Sequence, residues 1–325
     1  MKPVLVVQGA KGIDEVPRLG ELSSQAELRF ATNSDELRDA LPGADVMLGW
    51  SFRDASLPAA WDAATDLRWI HWAGAGVDAA VFPQLAASEV QLTNARGVFD
   101  VPMAEWVLGM IICFAKKIPQ TLAAQAEARW QHRLSETVAG KRALVVGVGS
   151  IGRAVGRLLT SAGMEIEAIG RTARDNDPDF CHVYAVDELH SRLPMADYVV
   201  LITPLTEQTH NLFAAAEFAA MASHARFINI GRGALVVEED LLSALHGGQI
   251  AGAALDVFVE EPLPAESPFW QAPNCLISPH MSGDYAEFED AMADQFMDNW
   301  SRYLAGEPLR NLVDKKLGFV PSSTS

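Results

Sequence analysis

The stretch Ala143-Leu144-Val145-Val146-Gly147-Val148-Gly149-Ser150-Ile151-Gly152, running on into a helical pattern to Ala162, decides the fold. Four apolar residues predict a strand, and glycines in G-x-G-x-x-G spacing turn the chain straight into a helix. That context gives an otherwise weak motif its meaning, a dinucleotide site. Gly147 permits the tight turn, Gly149 lets a pyrophosphate approach the backbone, and Gly152 allows close helix packing. Ser150 and Ile151 open the helix, whose first N–H groups and positive dipole end face the anion.

Downstream the alternation continues. Strands are predicted at Ala143–Val148, Glu165–Ile169, Tyr198–Ile202, Phe227–Ile230, Ala251–Leu255 and Cys275–Ile277, with helices at Ile151–Ala162 and Glu238–Leu245. Upstream, Val4–Val7, Leu28–Ala31, Asp45–Gly49, Leu67–His71 and Val90–Thr93 read as a first strand set, and Ser34–Leu41 as a helix capped by Ser34. Strands alternating with helices and lacking strict polar alternation predict parallel sheets covered on both faces. The chain therefore divides into residues 1–100 with 285–325, expected to bind substrate, and 101–284, expected to bind the dinucleotide, with a ligand cleft between them. A helix opened by Asp100 and Pro102 is apolar nearly all round over Met103–Ala115. It should be buried on more than one side, either as a central helix or under a second subunit.

Composition narrows the function. The 325 residues carry 25 Lys+Arg against 42 Asp+Glu, a net charge of −17, which repels nucleic-acid backbones and anionic lipid surfaces. The longest apolar stretch, Trp106 to Ala115, is about half of what spans a bilayer. Cys113, Cys181 and Cys275 read as reduced core residues with neither disulfide nor metal spacing, and no metal is expected. A cytoplasmic protein is expected, and the Ser/Thr tail after Pro321 is expected to fray.

Which dinucleotide is bound depends on the end of the second cofactor strand. An NAD site places an acid there; this chain has Ile169-Gly170-Arg171-Thr172-Ala173-Arg174. Guanidinium groups match an extra 2′-phosphate, so NADP is favoured over NAD.

Arg232 in Asn229-Ile230-Gly231-Arg232-Gly233, Glu261 before Pro262, and His280 in Ser278-Pro279-His280 each follow a predicted strand. All three fall at the carboxyl edge, where the cofactor lies. Hydride transfer to a carbonyl needs a proton source and a positive group near the nascent alkoxide, and this set supplies both. In this order the motifs resemble those of the D-isomer-specific 2-hydroxyacid dehydrogenases over nearly the whole chain.

The resemblance implies a flavodoxin-like substrate domain beside a Rossmann domain, a homodimer, and hydride transfer between NADP(H) and a small 2-keto or 2-hydroxy acid. It makes His280 the general acid, Glu261 rather than Glu260 its partner, and Arg232 the carboxylate clamp. Ala73-Gly74-Ala75-Gly76 looks like a carboxylate-binding loop, with the Ala75 and Gly76 amides facing the anion. Thr203 and Pro204 would border the adenine side, and Ile230 and Asp256 the nicotinamide, although a strand-end capping carboxylate also suits Asp256. Trp72 could border the substrate; Trp69, Trp106, Trp130 and Trp270 read as packing. The run Met281-Ser282-Gly283-Asp284-Tyr285 is bulkier than the usual form. Formate dehydrogenases of this fold pair the histidine with glutamine, against Glu261. Phosphite dehydrogenases and dinucleotide-sensing corepressors remain alternatives.

Overall fold

The fold is that of a computed structural model describing residues 2–52 and 54–321; the Ser/Thr tail after Pro321 lies outside them. The chain forms two compact units, one running up to Phe99 and resuming at Tyr285, the other Asp100–Asp284.

The first unit has strands β1 (Val4–Gln8), β2 (Glu27–Ala31), β3 (Val46–Gly49), β4 (Trp69–Trp72) and β5 (Gln91–Asn94). They pair in parallel in the order β2-β1-β3-β4-β5, the flavodoxin-like winding. Helices α1 (Ser34–Ala40), α2 (Leu57–Ala60) and α3 (Pro83–Ala87) connect them. Every residue of β3 and β4 is buried, which is why these strands read as unbroken apolar runs. The cap of α1 is Asn33, whose side chain accepts from the Asp35 and Glu36 amides; Ser34, the expected cap, is the first helical residue.

The second unit begins with α4 (Asp100–Lys116) and α5 (Ile118–Ala126). Then follow β6 (Arg142–Val146), α6 (Ser150–Ser161), β7 (Glu165–Gly170), β8 (Arg174–Asp177), β9 (Cys181–Ala185) and α7 (Leu189–Arg192). The unit closes with β10 (Tyr198–Leu201), α8 (Ala215–Ala220), β11 (Arg226–Asn229), α9 (Glu238–His246), β12 (Gly252–Leu255) and β13 (Cys275–Ile277). The sheet order is β13-β12-β11-β10-β6-β7-β9-β8. From β9 inward this is the Rossmann order, with the switch point between β6 and β10. A last helix, α10 (Phe288–Ala305), belongs to the first unit and packs Phe296 against Trp69 with ring centroids 5.5 Å apart.

Helix α4 buries Ala104, Val107, Ile111 and Ala115, with Met103, Trp106, Leu108, Met110 and Phe114 partly buried against the same core, while Val101 and Ile112 are exposed. Two expectations change. The antiparallel hairpin β8–β9 was not expected, and Arg174 stands on its first strand rather than on a plain turn. Cys181 is exposed rather than in the core; all three cysteines are free.

Candidate active site

The glycine turn after β6 is built as its sequence requires. Gly147 has φ +123, outside the range of L side chains. A Cβ on Gly152 would lie 2.0 Å from the Gly147 carbonyl oxygen, so no larger residue lets α6 start so close to the turn. Around Gly149 a Cβ would meet nothing within 4 Å, leaving room for an incoming group. No side chain caps α6, so its first amides are available to an anion. Nearby, the buried Thr203 hydroxyl has no hydrogen-bond partner among the described residues, and the Thr203 amide lies 2.9 Å from a Cβ placed on Gly147. A glycine cradle, open helix amides and an orphaned hydroxyl fit a dinucleotide. Pro204 follows at the surface, its carbonyl accepting from Thr209.

At the end of β7 stand the cationic residues. Arg171 and Thr172 are exposed, and Arg174 is partly so. Arg174 Nε donates to Asp177 Oδ2 at 2.8 Å. Asp177 in turn receives both terminal nitrogens of Arg153 at 2.8 Å. The Arg153 hydrogen bonds, more than any other contact, hold the Asp177 carboxyl well below the usual carboxylate range. Neither Arg153 nor Asp177 was singled out from sequence. Their signal was present: Arg153 directly follows the glycine motif, and Asp177 lies three residues past Arg174.

The carboxyl ends of the adjacent strands β11, β12 and β13 carry the remaining polar residues. After β11, buried Asn229 braces the turn, accepting from the Gly231 amide at 3.0 Å and donating to the Arg232 carbonyl at 3.0 Å. Arg232 is half-buried, with Nη1 donating to the Gly231 carbonyl at 2.9 Å. After β12, Glu261 accepts the Phe258 amide on Oε1 at 2.9 Å and meets His280 Nδ1 with Oε2 at 2.6 Å. Glu260 is exposed and holds no such bond among the described residues. Since a carboxylate only accepts, Nδ1 carries the proton in this pair. The two side chains are 23% and 28% exposed, reachable yet partly desolvated.

Asp256 and Ile230 are each 1% exposed. Ile230 packs in the core beneath α4. The Asp256 carboxylate accepts from the Ser278 hydroxyl and from the Met281 and Ser282 amides, both at 2.9 Å. It anchors the loop on which His280 adopts φ +53, a left-handed conformation that costs a non-glycine residue. The strand-end carboxylate reading is the one the bonds support.

In the first unit, the loop after β4 is pinned from β5. Asn94 Nδ2 donates to the Ala75 carbonyl, and the Ala95 amide to Gly74 at 3.0 Å. The Ala75 and Gly76 amides donate to no acceptor among the described residues. Asn94 thereby shapes this loop. Trp72 is fully buried and fills the space over Gly49, so it borders no ligand. Trp69 is core as expected, whereas Trp130 and Trp270 are exposed.

A nucleotide-binding Rossmann unit with a carboxylate-paired histidine at its carboxyl edge defines an NAD(P)-dependent oxidoreductase. The family model described as "D-isomer specific 2-hydroxyacid dehydrogenase, NAD binding domain" matches residues 108–282. Glyoxylate/hydroxypyruvate reductase B of Citrobacter koseri is 31% identical over 329 residues, covering 98% of this chain and 99% of that protein. Among solved structures, an NADPH-dependent glyoxylate/hydroxypyruvate reductase from Sinorhizobium meliloti, in complex with NADP and sulfate, superposes with TM-score 0.83 at 28% identity. It covers 98% of this chain and 100% of that one. A D-isomer specific 2-hydroxyacid dehydrogenase from Xanthobacter autotrophicus, in complex with NADPH and MES, gives TM-score 0.81 at 29% identity, covering 98% and 100%. The chain belongs to the D-isomer specific 2-hydroxyacid dehydrogenases. Among the described residues no cluster of potential metal ligands occurs, and no helix is long and apolar enough to cross a membrane.

Proposed function

We propose that the chain is an NADPH-preferring reductase of small 2-keto acids such as glyoxylate and hydroxypyruvate, working reversibly as a D-2-hydroxyacid dehydrogenase. The Glu261–His280 pair carries this reading: it fixes Nδ1 as the bonded nitrogen and orients the ring, and proton exchange is assigned to Nε2. The dinucleotide, when bound, supplies the hydride to the keto carbon. His280 Nε2 gives its proton to the keto oxygen as the carbonyl π pair moves onto that oxygen, and takes it back in the oxidative direction. Arg232 holds the substrate carboxylate and polarises the carbonyl while negative charge grows. Glu261 orients the imidazole ring through Nδ1. Asp256 keeps the His280 loop in place.

For the cofactor, Gly147, Gly149, Ser150, Ile151 and Gly152 form the pyrophosphate cradle. Arg171, Thr172 and Arg174 face the 2′-phosphate, and Thr203 with Pro204 the adenine side. The free amides of Ala75 and Gly76 suit a carboxylate anion. The named activities of the relatives and the NADP or NADPH bound in the two solved structures support the substrate and cofactor.

We further assign a cytoplasmic homodimer. Three free cysteines suit a reducing compartment. Exposed Val101, Leu122 and Leu134 give the α4–α5 region an apolar surface for a second copy.

Initial rates on a panel of 2-keto acids with NADPH and NADH test the proposal. A higher kcat/KM with NADPH on a two- or three-carbon keto acid is expected. Failure to reduce any member with either cofactor would overturn the activity, and faster turnover with NADH the cofactor assignment.

A further inference from the structure

The ion cluster joining β8 to α6 has an arrangement that the hydride chemistry does not use. Asp177, at the end of β8, has a side chain only 1% exposed. It accepts Arg153 on both oxygens, Arg174 Nε at 2.8 Å and the Asp179 amide at 3.0 Å. Arg153 also donates to Asp179 at 2.6 Å and lies 5.8 Å from the Phe180 ring centroid. Phe180 fills the groove over α6, where a Cβ on Gly156 would come within 2.5 Å of its ring. Through these contacts the hairpin is fastened to the first turns of the helix that opens on the glycine cradle.

Arg174 stands apart from Arg153. Its sole protein partner among the described residues is Asp177, reached through Nε, which leaves the two terminal nitrogens without one. Its Nη1 lies 3.8 Å from a Cβ placed on Gly170, the last residue of β7. That strand end is where a Rossmann site reads the adenosine ribose. We propose that Asp177 is a positioning residue for cofactor choice: by holding Nε of Arg174 it aims the paired Nη groups at the 2′-phosphate of NADPH. This rests on the NADP reading above.

Two physical points favour the assignment. A free arginine would lose much of its rotamer freedom on meeting a phosphate, whereas this one is already partly ordered. The carboxylate that orders it is neutralised by Arg153, so its own charge does not repel the dianion. With Arg157 donating to Asp179 at 3.1 Å, the cluster of three arginines and two aspartates keeps a positive balance.

Fluorescence titration of the full chain with NADPH and NADH tests this, using wild type, Arg174→Ala, Asp177→Asn and the double variant. Each single variant should weaken NADPH binding about tenfold while leaving NADH within about twofold, and the double variant should be no worse than Arg174→Ala. If Arg174→Ala weakens NADPH and Asp177→Asn does not, the NADP reading stands and the role of Asp177 is refuted. Equal weakening of both cofactors by Asp177→Asn makes it merely structural and also refutes that role. Wild type binding both cofactors alike would instead remove the reading beneath it. Should Asp177→Asn fail to fold, Arg174→Lys decides, because it keeps the charge but offers Asp177 no Nε. Wild-type NADPH affinity in that variant overturns the proposal, and a selective loss upholds it.

Discussion

Replacing Gly233 with alanine should disable the enzyme through a single methyl group. An added Cβ at this position would lie 2.0 Å from the Phe258 carbonyl carbon, 2.3 Å from its oxygen and 2.3 Å from the Val259 nitrogen. All three are backbone atoms, so no side chain can swing aside. Ordinary contact begins near 3.4 Å, so one loop must retreat by about 1.4 Å. On one side that loop carries Arg232. On the other it carries the Phe258 amide that holds Glu261, with Val259 tied to Glu238 at 2.8 Å. Either retreat changes the placement of the arginine relative to the Glu261–His280 pair. A displacement of about 1 Å at reacting groups costs about a hundredfold in rate, and overpacking costs about 1–3 kcal/mol of stability. Steady-state kinetics with NADPH and glyoxylate should therefore show kcat/KM down about a hundredfold, with NADPH affinity changed by less than about threefold, because the glycine cradle lies after a different strand. Thermal unfolding should confirm a folded protein of lower Tm. A Gly233→Ala enzyme retaining kcat/KM within threefold would refute the claim that the two loops are in forced contact.

Arg232→Lys keeps the charge but loses the planar fork, and should lower kcat/KM for glyoxylate by about 10²-fold, partly through KM; Arg232→Ala should cost more. His280→Ala should abolish turnover while leaving NADPH binding, read by fluorescence, within about twofold. Glu261→Gln keeps a partner for Nδ1 but removes the charge, and a drop of about tenfold or more in kcat at neutral pH is expected from rapid-mixing kinetics. Stability should also respond to acid through His71, which is fully buried and pushed down to about 3 by that burial. The unfolded chain takes up this proton below its ordinary value near 6.5 while the folded chain does not. Stability is thus complete above that value and falls as the pH drops, by about 2 kcal/mol at pH 5. His71→Phe should remove that part of the acid dependence in urea melts, and an unchanged dependence would count against it.

The glycine turn and the residues at the ends of β11, β12 and β13 were legible because each signal is local: a strand, a break, and one polar side chain. The family resemblance set Glu261 apart from Glu260 by its place before Pro262, and Glu261 is the one whose Oε2 meets His280 Nδ1 at 2.6 Å. The hairpin was not legible. Arg174-Asp175-Asn176-Asp177 has neither β-branched nor alternating apolar residues, and the strand is held by Arg153, twenty-one residues before Arg174. Asp256 was legible only in part. Its place in the chain suits a cofactor contact or a strand-end carboxylate, while its three donors from the His280 loop were set by a neighbouring strand. The expected burial of α4 on several sides followed from its uniform apolar character; within its own unit one stripe is fully covered and Met103, Trp106, Leu108, Met110 and Phe114 partly so.

The hairpin's position has a consequence for how this enzyme can change. Strand β8 is the outermost of its sheet and pairs with β9 alone, and its charged residues discourage pairing with a foreign strand. Arg232, Glu261 and His280 sit toward the opposite margin, on loops after β11, β12 and β13. On the roles proposed above, nucleotide preference and keto-acid chemistry are separable modules. The outer ribbon can be exchanged, by evolution or by grafting, while the machinery that moves the hydride's companion proton is left as it stands.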